Sequence, residues 1–382
     1  MDKKFLLTNS TIGIIGGGQL GRMLALAAKA MGYRIIVLDP TADCPAAQVS
    51  DEQIIADYDD KVALRELSEK ADVVTYEFEN IDYDALKMTQ NLVSVPQGSE
   101  LLSITQDRIL EKAYLESANI NIAPYAVIVE QDEIENEIKS IGYPAVLKTA
   151  QGGYDGKGQV VIHDARDIET AARLLRYGSC VLEAWIPFEK EISVVVARNL
   201  EGQIETFPVV ENVHVNNILH TTTAPADVAD DVHEEAEEIA RKLADVLQLC
   251  GVLAVEMFVT KSGAIYVNEL APRPHNSGHF TIEACSISQF TQHIRAIVGL
   301  PLVKPELLKP ALMINILGQH VDAVNKQMVN YPHWFVHYYG KKEAKINRKM
   351  GHVTVLADEP KAVIQDLEET KFGSNWRNLK GC

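Results

Sequence analysis

The chain has 382 residues, 47% of them hydrophobic and 23% charged, and a formal net charge of −17 at pH 7. That length allows two or three domains around a sizeable core, and the acidic balance excludes a nucleic-acid-binding surface, which needs a basic face. Five scattered cysteines without metal-ligand spacing, no membrane-length apolar stretch and no leader pattern at the start lead us to expect a soluble, cytoplasmic protein without a membrane partner.

The first ~110 residues alternate strand and helix signals: strands over 11–15, 34–39, 53–56, 72–76 and 92–95, helices over 19–31 and 60–69. This rhythm predicts a doubly wound parallel sheet with helices on both faces, hence an α/β fold class. Gly16-Gly17-Gly18-Gln19-Leu20-Gly21 matches G-x-G-x-x-G at the first strand–helix junction, and Asp39 ends the next strand where a dinucleotide's ribose would be read. The motif by itself means only a tight turn and a helix N-terminus open to an anion. An NAD-dependent oxidoreductase, a substrate phosphate site and a purely structural turn therefore stay open.

A helix over 103–118 carries Arg108. Strand 125–129, helix 132–141 and strand 145–149 follow. Next come Gly152-Gly153-Tyr154-Asp155-Gly156-Lys157-Gly158, strand 159–162, helix 168–176 and strand 180–184. Lys148 lies between Leu147 and Thr149 on a strand that runs into this glycine-rich loop, and a core offers no reason for it. Such a loop has few side chains and many free N–H groups, so it can fold over a polyphosphate. A plain β-turn is the alternative.

Strands over 191–197 and 203–210 and an amphipathic helix over 232–247 lead to a hairpin whose apolar runs, 252–259 and 264–270, flank Thr260-Lys261-Ser262-Gly263. A two-residue turn at Ser262-Gly263 would set Glu256 opposite Glu269, with Cβ atoms roughly 4.5–5.5 Å apart. Like charges so placed among apolar neighbours are reconciled most simply by Mg²⁺, usually held by one or two carboxylates plus substrate phosphates. An exposed edge hairpin with both acids in solvent is the plainer reading. Arg273, His275, Asn276, Ser277 and His279 then form a basic, proton-active cluster.

A helix over 281–298 and a proline-rich junction over 301–310 precede apolar runs at 311–317, 334–339 and 351–357, which predict a small, mostly β C-terminal unit. Between the last two runs, Lys341, Lys342, Lys345, Arg348 and Lys349 crowd into nine residues. A solvated loop is the usual meaning of such a run, but in so acidic a chain the local reversal of sign favours capture of an anionic ligand.

Taken together, a lysine strand, a glycine-rich lid, the strand end Glu183-Ala184-Trp185-Ile186 and a paired-carboxylate hairpin are what ATP with Mg²⁺ requires. No P-loop signature and no protein-kinase H-R-D or D-F-G element occurs.

On these residues the sequence resembles the ATP-grasp superfamily, and within it the 5-(carboxyamino)imidazole ribonucleotide synthases of purine biosynthesis. The likeness spans nearly the whole chain, through GIIGGGQLGRML, TYEFENI, TQDRILEK, GGYDGKGQ, NELAPRPHNSGH and GHVTVL. Lys345-Ile346-Asn347 departs from the Arg-Pro-Gly common in the family. The resemblance implies an N-terminal domain over 1–110, an ATP-grasp domain of two lobes over 111–300, a C-terminal domain over 301–382, and a homodimer. It implies an ATP-dependent ligase that joins bicarbonate to the exocyclic amine of 5-aminoimidazole ribonucleotide, with ADP and phosphate released.

By the same likeness Arg108 and Lys148 would contact ATP phosphates under a lid of Gly153, Tyr154, Asp155, Gly156, Lys157, Gly158 and Gln159. Glu183, Ala184, Trp185 and Ile186 would border adenine, Glu191 would take the ribose and His214 would lie near the nucleotide. Glu256 and Glu269 would hold magnesium with Asn268 beside them, although regular pleating points Asn268 to the other face. Arg273, His275 and Asn276 would hold bicarbonate and the imidazole, the arginine presenting a planar fork to an oxyanion, with Ser277 adjoining. Asp155 would be a base for the amine or, equally, a turn-forming aspartate. Lys342 and Arg348 would bind the substrate's phosphate, and Gln19, Glu77 and Tyr154 its sugar and ring. Same-fold rivals are a formate-using glycinamide ribonucleotide transformylase and a biotin carboxylase; a non-catalytic nucleotide sensor is another.

Overall fold

The structure, a computed structural model, describes residues 5–153 and 158–368, with side chains through residue 364. Tyr154, Asp155, Gly156 and Lys157 lie outside the described residues. The N-terminal sheet is parallel, in the order Glu52–Ile54, Arg34–Leu38, Thr11–Ile15, Val73–Tyr76. Its strands read as continuous apolar runs because both faces are covered. Ile12, Ile14, Ile35 and Val37 pack with the helix Gln19–Ala30, and Ile15, Ile36, Leu38 and Val74 with Lys61–Lys70 and Tyr83–Gln90. The strand expected at 92–95 reduces to a single bridge between Ser94 and Val73.

A second, antiparallel sheet orders Tyr125–Ile128, Cys180–Ala184, Ala145–Thr149 and Gln159–Ile162. The third sheet runs Ile265–Ala271, Gly251–Thr260, Phe188–Arg198, Val210–Val215, Ile218–Ala224, Ala311–Leu317, Lys349–Leu356, Trp334–Tyr338. Ile204–Thr206 pairs on its side with Phe188–Arg198. The C-terminal strands therefore have no sheet of their own, because Thr221–Ala224 pair with Ala311–Ile314 and carry the ladder across.

The helices expected over 103–118 and 281–298 are each broken by a cap. The Asp107 carboxylate accepts from the amides of Ile109 and Leu110 and starts Arg108–Ser117 after Glu100–Thr105 has ended. The Ser288 hydroxyl accepts from Thr291 and starts Gln289–Ile297, separate from Thr281–Ala284. An N-cap side chain satisfies amides that a continuous helix would have bonded internally. Gln289–Ile297 lays Phe290, Ile294 and Ile297 into the same core as Leu24 and Ala28, so the central domain closes one face of the N-terminal sheet.

The glycine loop is filled from within. Glu77 accepts hydrogen bonds from the amides of Gly18 and, at 2.5 Å, Gly21. Asp39 accepts from Gly17 at 2.8 Å and from the Tyr58 hydroxyl at 2.7 Å. A Cβ on Gly21 would stand 2.4 Å from the Gly16 carbonyl oxygen, so close packing explains that glycine. The helix N-terminus that would receive a pyrophosphate already holds a carboxylate, and Asp39 is buried and engaged. The dinucleotide reading is thereby corrected. Millimolar NAD or NADH is expected to leave the thermal melting temperature unchanged, and a clear rise in a thermal-shift titration would show that Glu77 yields its place.

Candidate active site

The hairpin brings Glu256 opposite Glu269, as its sequence suggests, but by a different route. The turn is three residues long: Thr260 N–H donates to the Ala264 carbonyl at 3.0 Å, and Gly263 takes φ +84°. That closure by itself would shift the register by one. A bulge between Glu256 and Met257, where Asn268 is the extra residue of the facing strand, restores the pairing of the two acids. A bulge re-aims a side chain and breaks the pleat, which removes the objection from alternation to Asn268 joining the pair.

An arginine and a ring nitrogen of the chain itself meet the two carboxylates. Arg108 Nη1 lies 3.3 Å from Glu269 Oε2, and His275 Nε2 lies 3.0 Å from Glu256 Oε1. Burial works against the Glu256 charge, yet the His275 hydrogen bond and the neighbouring His275, His214 and Arg273 hold its carboxyl well below the usual range. The neutralisation that the sequence assigned most simply to Mg²⁺ is thus shared by side chains of the chain itself. Arg273 does not present a free fork: Glu79 takes it with Nε–Oε1 at 2.8 Å and Nη2–Oε2 at 3.2 Å. Such a bidentate pair fixes the guanidinium plane. Burial opposes its charge, and the acids Glu79, Glu269 and Glu256 keep it protonated.

Behind the hairpin, Glu111 of the helix Arg108–Ser117 accepts from the Leu270 amide at 2.7 Å. Burial and the Glu269 charge push its carboxyl up to about 8. Across the cleft, the strands Ala145–Thr149 and Cys180–Ala184 bring Lys148 Nζ 3.0 Å from Glu183 Oε2, and Lys112 Nζ stands 3.3 Å from the same oxygen. Burial pulls Lys112 down, and for Glu183 the two lysines outweigh burial and hold the carboxylate charged. Glu183 is thus a buried counter-ion more than a border residue.

The amides of Ala184 and Trp185 donate to the carbonyls of Pro124 and Pro144. Nearby, Phe188 stacks on Phe258 with centroids 4.6 Å apart, and Trp185 adjoins Phe188 at 6.4 Å. Gln159 opens the strand Gln159–Ile162 and Gly153 ends the described segment before it, and the Gly158 carbonyl accepts from the Thr149 amide at 2.8 Å. Glu191 Oε2 meets His214 Nδ1 at 2.5 Å. Burial lowers the affinity of His214 for a proton, and Glu191 more than restores it.

Residues of the C-terminal and N-terminal parts complete the rim. Lys341 Nζ donates to Gln19 Oε1 at 2.6 Å and to the Lys349 carbonyl at 2.7 Å. Lys342 and Arg348 are exposed on that loop, Lys342 beside Asp43 and Arg348 bonded to the Glu343 carbonyl. Asn276 and Asn315 exchange side-chain amide hydrogen bonds at 3.0 and 2.9 Å. The Ser277 hydroxyl lies 2.8 Å from His275 Nδ1. Sequence reasoning missed Glu79, Glu111, Lys112 and Asn315, and read Lys341 only as one member of the basic run. Charged residues inside TYEFEN and DRILEK were the available signal for the first three; Asn315, in an apolar strand, had none.

A parallel-sheet domain, a two-lobed lysine-and-glycine-loop domain and a carboxylate hairpin define an ATP-grasp ligase, and the comparisons agree. Residues 113–290 match the ATP-grasp domain, 9–106 the ribonucleotide synthetase preATP-grasp domain, and 311–366 the phosphoribosylaminoimidazole carboxylase C-terminal domain. The chain is 49% identical over 381 residues to the N5-carboxyaminoimidazole ribonucleotide synthase of Bacillus subtilis, covering 100% of this chain and 99% of that one. It is also similar to a crystal structure of an N5-carboxyaminoimidazole ribonucleotide synthetase with ADP, at TM-score 0.95, 51% identity and 99% coverage of both chains. An Aspergillus clavatus N5-carboxyaminoimidazole synthase crystallised with ADP and 5-aminoimidazole ribonucleotide matches at TM-score 0.89 and 32% identity, over 94% of this chain and 97% of that one. The chain belongs to the N5-carboxyaminoimidazole ribonucleotide synthase family. Among the described residues no helix is long and apolar enough to cross a membrane.

Two outcomes follow from this geometry. Lys148→Ala removes the ammonium held 3.0 Å from Glu183 and is expected to weaken ATP binding by about ten-fold or more in calorimetry, since such bonds contribute roughly 1.5–3 kcal/mol; an unchanged dissociation constant would count against a phosphate role. Glu256 carries a depressed pKa, so its stabilising contribution is complete above the unfolded value of about 4.3 and disappears as pH falls through the folded value. Glu256→Gln should therefore flatten the acid limb of stability against pH below about 4.3, and an unaltered limb in urea titrations would contradict it.

Proposed function

We propose that the chain carboxylates the exocyclic amine of 5-aminoimidazole ribonucleotide with ATP and bicarbonate, giving the N5-carboxyamino product, ADP and phosphate, in purine biosynthesis. The observation that carries this reading is the convergence of Arg108, Arg273 and His275 on the facing acids Glu256 and Glu269. Relatives solved with ATP, or with ADP and 5-aminoimidazole ribonucleotide, support the choice of ligands.

Glu256 and Glu269 fit magnesium: two hard oxygen donors face each other across a bulged ladder, and two carboxylates with phosphate oxygens make a sufficient set. When bound, the ion would neutralise charge developing on the transferring phosphoryl group. Arg108 would then be released from Glu269 toward the phosphates, and Lys148 would reach them from the opposite lobe with Glu183 holding its ammonium in place. Trp185, Ile186 and the Phe188–Phe258 stack would border the adenine plane. Glu191 and His214, locked together, would meet the ribose.

Bicarbonate resists attack because hydroxide is a poor leaving group. One of its oxygens would bond to the γ-phosphorus as the bond to the bridging oxygen breaks, giving carboxyphosphate and ADP. The amine nitrogen would then bond to carbon as the carbon–oxygen bond to phosphate breaks, with the amine proton passing to a base, for which Asp155 is our candidate. Arg273, held charged by Glu79, would provide the positive potential where the oxyanion sits, and positioning in a water-poor cleft does the remainder. Lys341 and Gln19, with Lys342 and Arg348 on the same loop, would receive the ribonucleotide's phosphate and sugar.

Phosphate release should depend on both bicarbonate and the aminoimidazole ribonucleotide, and release with ATP alone would overturn the assignment. Glu269→Gln is expected to lower kcat by about 100-fold or more while circular dichroism stays native; retained turnover would remove this carboxylate from the reaction.

A further inference from the structure

Three polar side chains in the middle of the large sheet form a line that ends on Ser277 of the turn Asn276–Gly278, and the mechanism above uses none of the four directly. Ser193, Ser277 and Thr222 are fully or almost fully buried, and Asn212 is 5% exposed. Ser193 sits between Ile192 and Val194 on a central strand, directly across the ladder from Glu256. A hydroxyl at such a position costs stability unless it is bonded on every side.

The bonds run in one direction. Thr222 Oγ1 donates to Asn212 Oδ1 at 2.8 Å, and Asn212 Nδ2 donates to Ser193 Oγ at 2.8 Å. Ser193 then donates to Ser277 Oγ at 2.8 Å. The Ser277 hydroxyl therefore has its own hydrogen left for His275 Nδ1, 2.8 Å away. A second donor reaches the same nitrogen: the Ser277 backbone N–H, at 3.3 Å. A backbone amide can only donate, so two independent donors meet one ring nitrogen.

We propose that Ser193, Ser277 and Asn212 are positioning residues that hold the His275 imidazole in a single tautomer, with Nδ1 bare and Nε2 carrying the hydrogen it gives to Glu256. The opposite tautomer would set an imidazole lone pair against a carboxylate oxygen at 3.0 Å and would leave Nδ1–H facing the amide hydrogen of Ser277. Hydrogen bonding at one ring nitrogen sets what the other presents. The line thus aims a fixed donor at one of the two facing acids. Its consequence for turnover rests on the functional reading above; the placement of the hydrogen stands on geometry alone.

Nitrogen-15 spectra of histidine-labelled enzyme test the placement, with the His275 signals assigned by their loss in His275→Asn. A protonated Nε2 with an unprotonated Nδ1 is expected, and the reverse pattern overturns the proposal. Ser193→Ala, which adds no volume, should lower kcat about ten-fold with KM for ATP within about two-fold, and Ser193→Thr should recover most of the loss. Wild-type kcat in Ser193→Ala, or a loss that Ser193→Thr fails to recover at matched melting temperature, would also overturn it. If Ser193→Ala does not fold, Ser277→Ala carries the same expectation, because it removes the hydroxyl through which the line reaches His275 Nδ1. Absence of bicarbonate-dependent phosphate release from the wild-type enzyme would defeat the functional reading, and the spectra would still decide the tautomer.

Discussion

Two carboxylates facing each other across a ladder, Glu256 and Glu269, form the constraint around which the rest of the site is organised. Like charges directly opposite are unfavourable, and the chain answers by surrounding them with two guanidinium groups and an imidazole N–H drawn from separate places: Arg108 from a helix N-terminus, His275 and Arg273 from the segment after the hairpin. Two of those groups are in turn fixed by others. Glu79 holds Arg273, and Ser277 holds His275. The acids are thus met by groups of the chain itself.

The same charges join the parts of the molecule. Glu79 follows a strand of the N-terminal sheet, Arg273 follows the central hairpin, and their fork-to-fork contact spans the two. Lys341 ties the C-terminal loop to Gln19, and the reciprocal amides of Asn276 and Asn315 tie the central cluster to a C-terminal strand. Polar contacts at the junction and apolar contacts behind it, such as Phe290 and Ile294 against Leu24, keep the three parts in one arrangement. A site assembled from three parts is only as well aligned as the contacts between them.

Much of the machinery was legible in the residues before any coordinates. Lys148 stood out because a strand core has no use for an ammonium, and the facing acids stood out because a hairpin's pairing follows from its turn. The turn itself was misjudged: a three-residue closure and a bulge at Asn268 compensate each other, so the pairing was right while its route was not. Arg273 read as a free oxyanion fork because nothing in the linear order shows that Glu79 lies beside it. The glycine loop read as an open anion seat because Glu77, 56 residues from Gly21, folds back into it.

Residue order by itself determined the strand and helix alternation, the doubly wound domain, the lysine strand and the acidic hairpin, since periodicity and turn chemistry act within a few residues. Tertiary structure alone decided which charge meets which. Glu183 became a counter-ion for two lysines, Glu77 closed its own loop, and the C-terminal strands extended the central sheet instead of forming another. Those outcomes depend on contacts between distant segments, where burial and hydrogen-bond satisfaction outweigh any local preference.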